Sequence, residues 1–256
     1  DVNGNVSTCT ANVAIEDTVN PIAICQDVTV QLDPAGNGST NANAVDNGSN
    51  DNCAIASLSL SQTNFDCSNV GGNPVVLTVT DVNGNTATCN ANVTVEDNIA
   101  PQAVCQNVTV QLDANGNGST TAQAVGGNST DACGIASLVL GNSTYTCSDV
   151  GPNTEILVVT DVNGNNSACF ATVTVEDNVN PIAICQDITV QLDAQGVTSI
   201  TPQDIDNGSN DACGIASLAL DSTNFECAEV GPNTVTLTVT DVNNNSATCT
   251  AVVTVE

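Results

Sequence analysis

A fixed period of 80 residues governs this sequence. Cys25 recurs as Cys105 and Cys185, Cys53 as Cys133 and Cys213, Cys67 as Cys147 and Cys227, and Cys9 as Cys89, Cys169 and Cys249. The text around them recurs too: DVNGN at 81 and 161 becomes DVNNN at 241, and VEDN at 95 and 175 leads into Pro101 and Pro181. Self-similarity at a constant period means that each copy is one structural unit. The copies run 17–96, 97–176 and 177–256, and residues 1–16 match the C-terminal end of a copy. That opening segment starts inside the turn that should join a copy's last two strands, so further copies upstream are expected.

Within a copy, Val, Thr and Ile alternate over short runs punctuated by Gly, Asn, Asp and Pro, a strand pattern with no helical period. In the third copy Val235, Leu237 and Val239 share one face, and DVNNN makes a turn. Cys249, Ala251, Val253 and Val255 then point inward, while Thr248, Thr250, Val252 and Thr254 point outward. Ile188, Val190 and Leu192 line another strand, and Ile215–Leu220 forms one more. Six or seven such strands predict an all-β fold of tandem immunoglobulin-like β-sandwich repeats of 80 residues. The stretch from Cys67 to Pro74 either runs extended or hides a short strand. Asn-Gly at 83, 117 and 163 is expected to supply the positive φ of tight turns.

The chain has no Lys, Arg or His against 28 Asp and Glu. Nucleic acid and anionic membranes would be repelled, and cations are the natural partner. No apolar run approaches the roughly 20 residues of a membrane span. Ordinary salt bridges cannot form, so stability has to come from other sources.

Thirteen Cys, four per copy, are too dense and regular for free thiols, and an 80-residue unit has a small core that benefits from covalent help. Disulfides formed in an oxidising, extracellular or cell-surface setting are expected. No CxxC pair and no His are present, which argues against zinc or iron–sulfur sites. Four Cys permit three pairings. The expected scheme joins Cys53 to Cys67, Cys133 to Cys147 and Cys213 to Cys227, with Cys25 to Cys89, Cys105 to Cys169 and Cys185 to Cys249. Each short loop then contributes about 3 kcal/mol and each long one about 4 kcal/mol. Cys9 would find its partner upstream. The competing scheme crosses the junctions, pairing Cys9 with Cys25, Cys89 with Cys105 and Cys169 with Cys185.

The ordered segments CQDVTVQLD, then NDNCAIASLSL or NDACGIASLAL, then NVGGNPVVLTVTDVNGNTATCNANVTVED resemble the hyaline-repeat (HYR) module, an immunoglobulin-like domain found in tandem in large bacterial surface proteins. The resemblance covers all three copies. It implies adhesion or stalk formation outside the cell and no catalysis. Gln26, Gln106 and Gln186 stand after the first Cys where many members have Pro, a departure at the start of that strand.

Catalysis finds little support in the residues themselves. Glu96 beside Asp97 is the obvious acid pair, yet glycoside hydrolysis needs two carboxylates facing across a cleft, with groups that hold the sugar. Three Phe and one Tyr cannot furnish a stacking platform in each copy. No His can activate a Ser, Thr or Cys nucleophile. Gly-rich turns such as AGNGST carry no Lys to cradle phosphate. Sequons at Asn107, Asn117, Asn142 and Asn207 arise readily in an Asn- and Thr-rich chain, and Asp17-Thr18-Val19 and Asp221-Ser222-Thr223 are candidate O-glycan acceptors.

The acids are not scattered. In an immunoglobulin-like topology the loop before the third strand and the last hairpin turn share the pole at which the chain enters, hereafter the head pole. That groups Glu16, Asp17, Asp51, Asp81 and Asn83 in the first copy, Glu96, Asp97, Asp131, Asp161 and Asn163 in the second, and Glu176, Asp177, Asp211, Asp241 and Asn243 in the third. Oxygen-only donors suit Ca2+, and the arrangement resembles cadherin junctions, where a DxN-type linker before Pro is stiffened by metal. The competing reading is that Asp and Asn merely build Asx turns.

The functional expectation is a structural segment of an extracellular or cell-surface filament or stalk, made of further copies of this repeat. At roughly 40 Å per sandwich, three copies in line reach about 120 Å. The short linkers VEDNIAP and VEDNVNP contain Pro and leave little slack. The alternative is an adhesin whose repeats bind glycan or protein ligands. Loop exchanges between copies, such as Val125-Gly126-Gly127 and Val197-Thr198-Ser199-Ile200, gain no aromatic residue and favour the spacer. Because trypsin cleaves only after Lys and Arg, it should leave the chain at full length on a denaturing gel even after heating and reduction.

Overall fold

The computed structural model describes residues 1–256, and packing divides the chain into two compact units. The first comprises residues 1–101 with the loops 131–134 and 161–165; the second comprises residues 102–130, 135–160 and 166–256.

In the first unit, β1 (Val28–Gln31), β3 (Ile55–Leu60), β5 (Gly71–Asp81) and β6 (Thr86–Glu96) form a sheet in the order β1-β6-β5-β3. The hairpin β5–β6 is its spine, and alternation decides which way it faces. Val75, Leu77 and Val79 on β5 and Ala91, Val93 and Val95 on β6 are buried, with the residues between them turned outward. β1 runs parallel to β6, Val28 opposite Val93, and β3 closes the other edge antiparallel. A short antiparallel pair, β2 (Asn37–Ser39) and β4 (Asn64–Asp66), supplies Phe65 to the same core as Val30, Leu32 and Val45.

The second unit repeats this arrangement twice. Its first sheet has the order β7-β12-β11-β9, from Val108–Gln111, Asn166–Glu176, Gly151–Asp161 and Ile135–Leu140. Its second has the order β13-β18-β17-β15, from Ile188–Val190, Ser246–Val255, Gly231–Asp241 and Ile215–Leu220. The small pairs are β8 (Asn117–Ser119) with β10 (Thr144–Thr146), and β14 (Val197–Ser199) with β16 (Asn224–Glu226). The all-β, tandem immunoglobulin-like architecture expected from the alternation is therefore present, with the third-copy inward residues Val235, Leu237, Val239, Ala251, Val253 and Val255 all buried. No helix is long and apolar enough to cross a membrane.

Four local features differ from the sequence reading. Each copy contains a one-turn helix, α1 (Ala42–Val45), α2 (Ala122–Gly126) and α3 (Pro202–Ile205), too short to show a 3.6-residue period. Asn41 and Thr121 cap the first two through side-chain oxygens that accept from Ala44 and Ala124 N–H, and Val45, Val125 and Ile205 are driven into the core. The ambiguous stretch after Cys67 is a 3-10 turn, Cys67–Asn69, followed by the first residues of β5. Positive φ falls on Gly84, Gly164 and Asn244 in the hairpin turns, but near residue 117 it falls on Gly116 (φ 74°). Gly118 is needed for space instead, since a Cβ there would lie 2.6 Å from Val110 Cγ1. Residues 1–16 form no strand; Asp1 closes its own Asn3–Asn5 turn, and Val6, Val13 and Ile15 lie exposed.

The cysteines require a correction. Cys25–Cys89, Cys105–Cys169 and Cys185–Cys249 are bonded as expected. The short pairings Cys53–Cys67, Cys133–Cys147 and Cys213–Cys227 do not form, nor does the junction-crossing scheme. Cys67 is bonded to Cys133, and Cys147 to Cys213, so the second disulfide joins consecutive copies. β3 and its counterparts explain this. Six residues at about 3.3 Å each carry the chain some 20 Å from Cys53 toward the opposite pole, beyond the roughly 7 Å Cα separation that a disulfide tolerates. Cys133, in the loop that packs into the first unit, lies 5.1 Å from Cys67 between Cα atoms. Cys9, Cys53 and Cys227 are exposed thiols.

The residue after the loop cysteine carries backbone strain in one copy only. Gly134 and Gly214 sit at φ 111° and 107°, whereas Ala54 holds φ 122° with a side chain. L-residues avoid this region at a cost of about 1–3 kcal/mol. Ala54→Gly should therefore stabilise the chain by about 1 kcal/mol after the added unfolded-state entropy, and Gly134→Ala should cost 1–3 kcal/mol, roughly; paired urea titrations read both.

Candidate cation site at the head of each copy

The hairpin turn builds the head pole. Asp81 Oδ1 accepts from the backbone N–H of Asn83 and Asn85, both at 2.8 Å, and its Oδ2 accepts from Asn85 Nδ2 at 2.7 Å. The same amide nitrogen donates to the Asp17 carbonyl at 3.1 Å, which ties the turn to the first residue of the copy. Asp161 with Asn165 and Asp97, and Asp241 with Asn245 and Asp177, repeat the arrangement. Val82 N–H donates to the Ala54 carbonyl, as Val162 does to Gly134 and Val242 to Gly214, and this draws the cysteine loop to the same pole. Burial opposes ionisation of Asp81, but the N–H groups of Asn85, Asn83 and Gly84 outweigh it and hold the carboxyl below the usual carboxylate range.

The linker and loop aspartates are each half-satisfied. Asp97 Oδ1 accepts from Ile99 N–H at 3.1 Å, Asp177 Oδ1 from Val179 at 3.0 Å and Asp17 Oδ1 from Val19 at 3.0 Å. In all three the Oδ2 atom is buried without a hydrogen-bond partner. Asp131 Oδ1 caps Cys133 and Gly134 N–H, Asp211 Oδ1 caps Cys213, and Asp51 Oδ2 caps Cys53. Asp51 Oδ1, Asn163 Oδ1 and Asn243 Oδ1 are also buried and unpartnered. Asp17 with Asp51, Asp97 with Asp131, and Asp177 with Asp211 place ligand oxygens within 4.8 Å of each other and of a cysteine sulfur. Cys133 and Cys213 are committed to disulfides and offer no thiolate. Buried carboxylate oxygens without a donor are costly, and this chain has no basic side chain to offset them. A hard cation bound by oxygen fits that donor set.

The expected metal residues do not all meet at one site. Asp17, Asp51, Asp97, Asp131, Asp177, Asp211, Asn163 and Asn243 retain free or half-free oxygens at the pole. Asp81, Asp161 and Asp241 have both oxygens engaged within their turns, as the Asx reading requires. Glu96 and Glu176 are turned to the sheet edge, where their Oε2 atoms accept from Gln31 and Gln111 Nε2 at 2.7 Å. Glu16 is exposed, and so is Asn83, whereas Asn163 and Asn243 are half-buried. Asp97 and Asp177 are 7% and 6% exposed, while Asp17, which follows the strandless segment, is only half-buried. Sequence reasoning missed Asn85, Asn165 and Asn245, the residues that tie turn to linker; the DVNGN text signals a turn but not which of its amides reaches outward.

No protein-family profile and no curated protein sequence matches the chain. Among solved structures it is similar to extracellular cadherin domains 1–4 of protocadherin gamma B7 (13% identity, TM-score 0.31, 79% of this chain and 66% of that one). It is also similar to Drosophila N-cadherin EC1–4 (12%, 0.34, 93% and 75%) and to Sidekick-1 immunoglobulin domains 1–4 (10%, 0.33, 93% and 75%). Likenesses of this size say nothing of activity, partners or cation binding in this chain.

The depressed carboxyl of Asp81, and that of Asp113, which accepts from Asn117 and Asn115 N–H, contribute to the acid limb of stability, as do those of Asp46, Asp66, Asp204 and Asp221. A folded pKa below the unfolded value means stability that is fully present above about pH 4 and is lost as pH falls through the depressed value. Urea midpoints should accordingly hold steady from neutral pH down to about 4 and drop below it, with a smaller drop in Asp81→Asn.

Proposed function

We propose that this chain is a structural repeat segment of an extracellular or cell-surface filament or stalk, with each 80-residue copy acting as a building block and Ca2+ bound at the head poles. The observation that carries the reading is the pair of disulfides Cys67–Cys133 and Cys147–Cys213, which bond one copy to the next independently of the backbone. A loop closure of that length contributes about 4 kcal/mol against unfolding, and pulling the chain does not strip it. Disulfides in such number accord with an oxidising location.

Ca2+ would be held by Asp97, Asp131 and Asn163 in the second copy and by Asp177, Asp211 and Asn243 in the third, with Asp17 and Asp51 forming a less covered version. The metal would neutralise the acids and fix the linker aspartate against the cysteine loop. The domain divisions 1–16, 17–96, 97–176 and 177–256, and the hyaline-repeat affinity, rest on the sequence motifs. The adhesin alternative draws less support. Phe65, Tyr145 and Phe225 are core residues at 3%, 1% and 2% exposure, which leaves Phe170 as the lone exposed ring in the chain. The hollows beside β2, β8 and β14 are lined mainly by Asp, Asn, Ser and Thr, with Tyr145 lining the one beside β8 and Phe225 the one beside β14. Neither a sugar-stacking platform nor a catalytic cleft is built from these residues.

Thermal melts with calcium and with chelator test the metal. At a hundredfold excess over Kd each occupied site should add about 2.7 kcal/mol, and Asp97→Asn with Asp131→Asn should reduce that gain. Equal melting points would leave only Asx turns. Solution scattering tests the stalk: an extended particle is expected, and a compact one overturns the reading.

A further inference from the structure

The outward face of each four-stranded sheet meets solvent, and in the first and third copies its centre is polar. Asn90 and Thr88 on β6 stand beside Thr78 on β5, and Thr250 and Thr248 on β18 beside Thr238 on β17. Val76, opposite Asn90, is a single apolar residue in that setting. The second copy departs from this pattern. At the same positions it carries Phe170 opposite Ile156 and Ala168 opposite Val158, two neighbouring cross-strand pairs on one face. Val139 on the adjacent β9 takes the place of Ser59 and Ala219, which stand opposite Thr78 and Thr238. Phe170, Val139 and Ile156 are 70%, 58% and 40% exposed.

The same region has also lost a charge. Asp27 Oδ1 accepts from Asn92 N–H and Asp187 Oδ1 from Val252 N–H, both at 2.7 Å. In the second copy that acceptor is the neutral Asn107, whose Oδ1 accepts from Thr172 N–H at 2.8 Å. The other outward residues of β11 and β12 are Pro, Thr and Asn as far as Glu176, at the end of β12, which accepts from Gln111. In a chain of net charge −28, a contiguous uncharged apolar face is the kind of surface that marks a contact.

We infer that this face docks a second chain of the same sequence, sheet against sheet, with the Phe170–Ile156 pair of one chain against that of the other about a two-fold axis. Charge selects the occupant. A basic partner needs carboxylates around the apolar centre, and the carboxylate that flanks this position in the other copies is replaced here by Asn107. A neutral face fits a neutral face, and pairing it with itself keeps the acids of both chains away from the contact. Area sets the strength. At about 3.3 Å per residue and about 4.8 Å between strands, the four strands present about 500 Å². Two such faces bury about 1,000 Å², the lower bound for a specific contact, so the pair is weak and reversible. Phe170 is the aromatic anchor, with Thr and Asn as the rim. The inference adds a lateral contact between chains to the filament reading and needs neither the metal nor the cysteines, so it can fail while that reading stands.

Sedimentation velocity on the full chain, with the exposed thiols alkylated, reads the pair in calcium and in chelator alike. A monomer–dimer equilibrium is expected, and added NaCl should raise the dimer fraction because salt screens the repulsion between two polyanions. Phe170→Asp should weaken pairing by roughly tenfold or more. Thr250→Asp, at the matching position of the third copy, should leave it unchanged, and urea midpoints check that both variants are folded. The chain has no Trp, so Phe170→Trp places a single indole on the face, and its emission should move to shorter wavelength as the dimer forms. Chains that stay monomeric at high concentration and high salt, a dimer that Phe170→Asp leaves intact, or an association that salt weakens or that needs calcium would each overturn the inference. So would an indole that responds only when polylysine or an oligosaccharide is added to monomeric chains, since the face would then belong to another partner.

Discussion

The carboxylate at the base of each last hairpin organises everything around it. Asp81, Asp161 and Asp241 are almost fully buried in a chain with no basic side chain, so neutral donors have to satisfy them, and here these are N–H groups. The turn residues two and four positions on provide those groups, which fixes the hairpin end. It also fixes the Asn side chain that reaches the linker carbonyl. Through that one amide, strand pairing in the sandwich becomes a statement about where a copy begins. The linker aspartate, the cysteine loop and the turn are then held at one pole without a salt bridge.

Covalent bonds take over where the core is thin. Each copy builds its core mainly from Val, Ala and Leu with one aromatic ring, a modest amount of apolar surface for about 80 residues. One disulfide ties the segment before the first strand to the fourth residue of the last strand, as in Cys25–Cys89. The other leaves the copy altogether. The loop that carries Asp131 is therefore anchored by Asx capping within its own copy and by Cys67 from the copy before it. Whatever binds at the aspartates sits on a loop that is covalently fastened at its tip.

Much of this was legible in the residues. The period and the strand alternation followed from spacing and from the side-chain period of two. The one-turn helices were not legible, because a single turn of four or five residues shows no periodicity and reads as loop. Gly118 was read as a turn residue although its role is steric, since what approaches it is Val110 on a neighbouring strand. Glu96 and Asp97 look alike as adjacent acids, yet one faces Gln31 on the sheet edge and the other is buried at the pole.

The sequence by itself determined that this is a disulfide-rich, acidic, tandem β-sandwich chain, because repetition, alternation and the absence of bases are properties of the text. Only the tertiary structure decided which cysteine meets which and which oxygens are left without a donor. Four cysteines in a repeat carry no information on whether a partner lies in the same copy or the next. The direction of β3 settles that by carrying the chain from one pole to the other. Likewise an aspartate in a turn and an aspartate beside it differ only in how many N–H groups the folded backbone points at each, and that count exists only once the strands are paired.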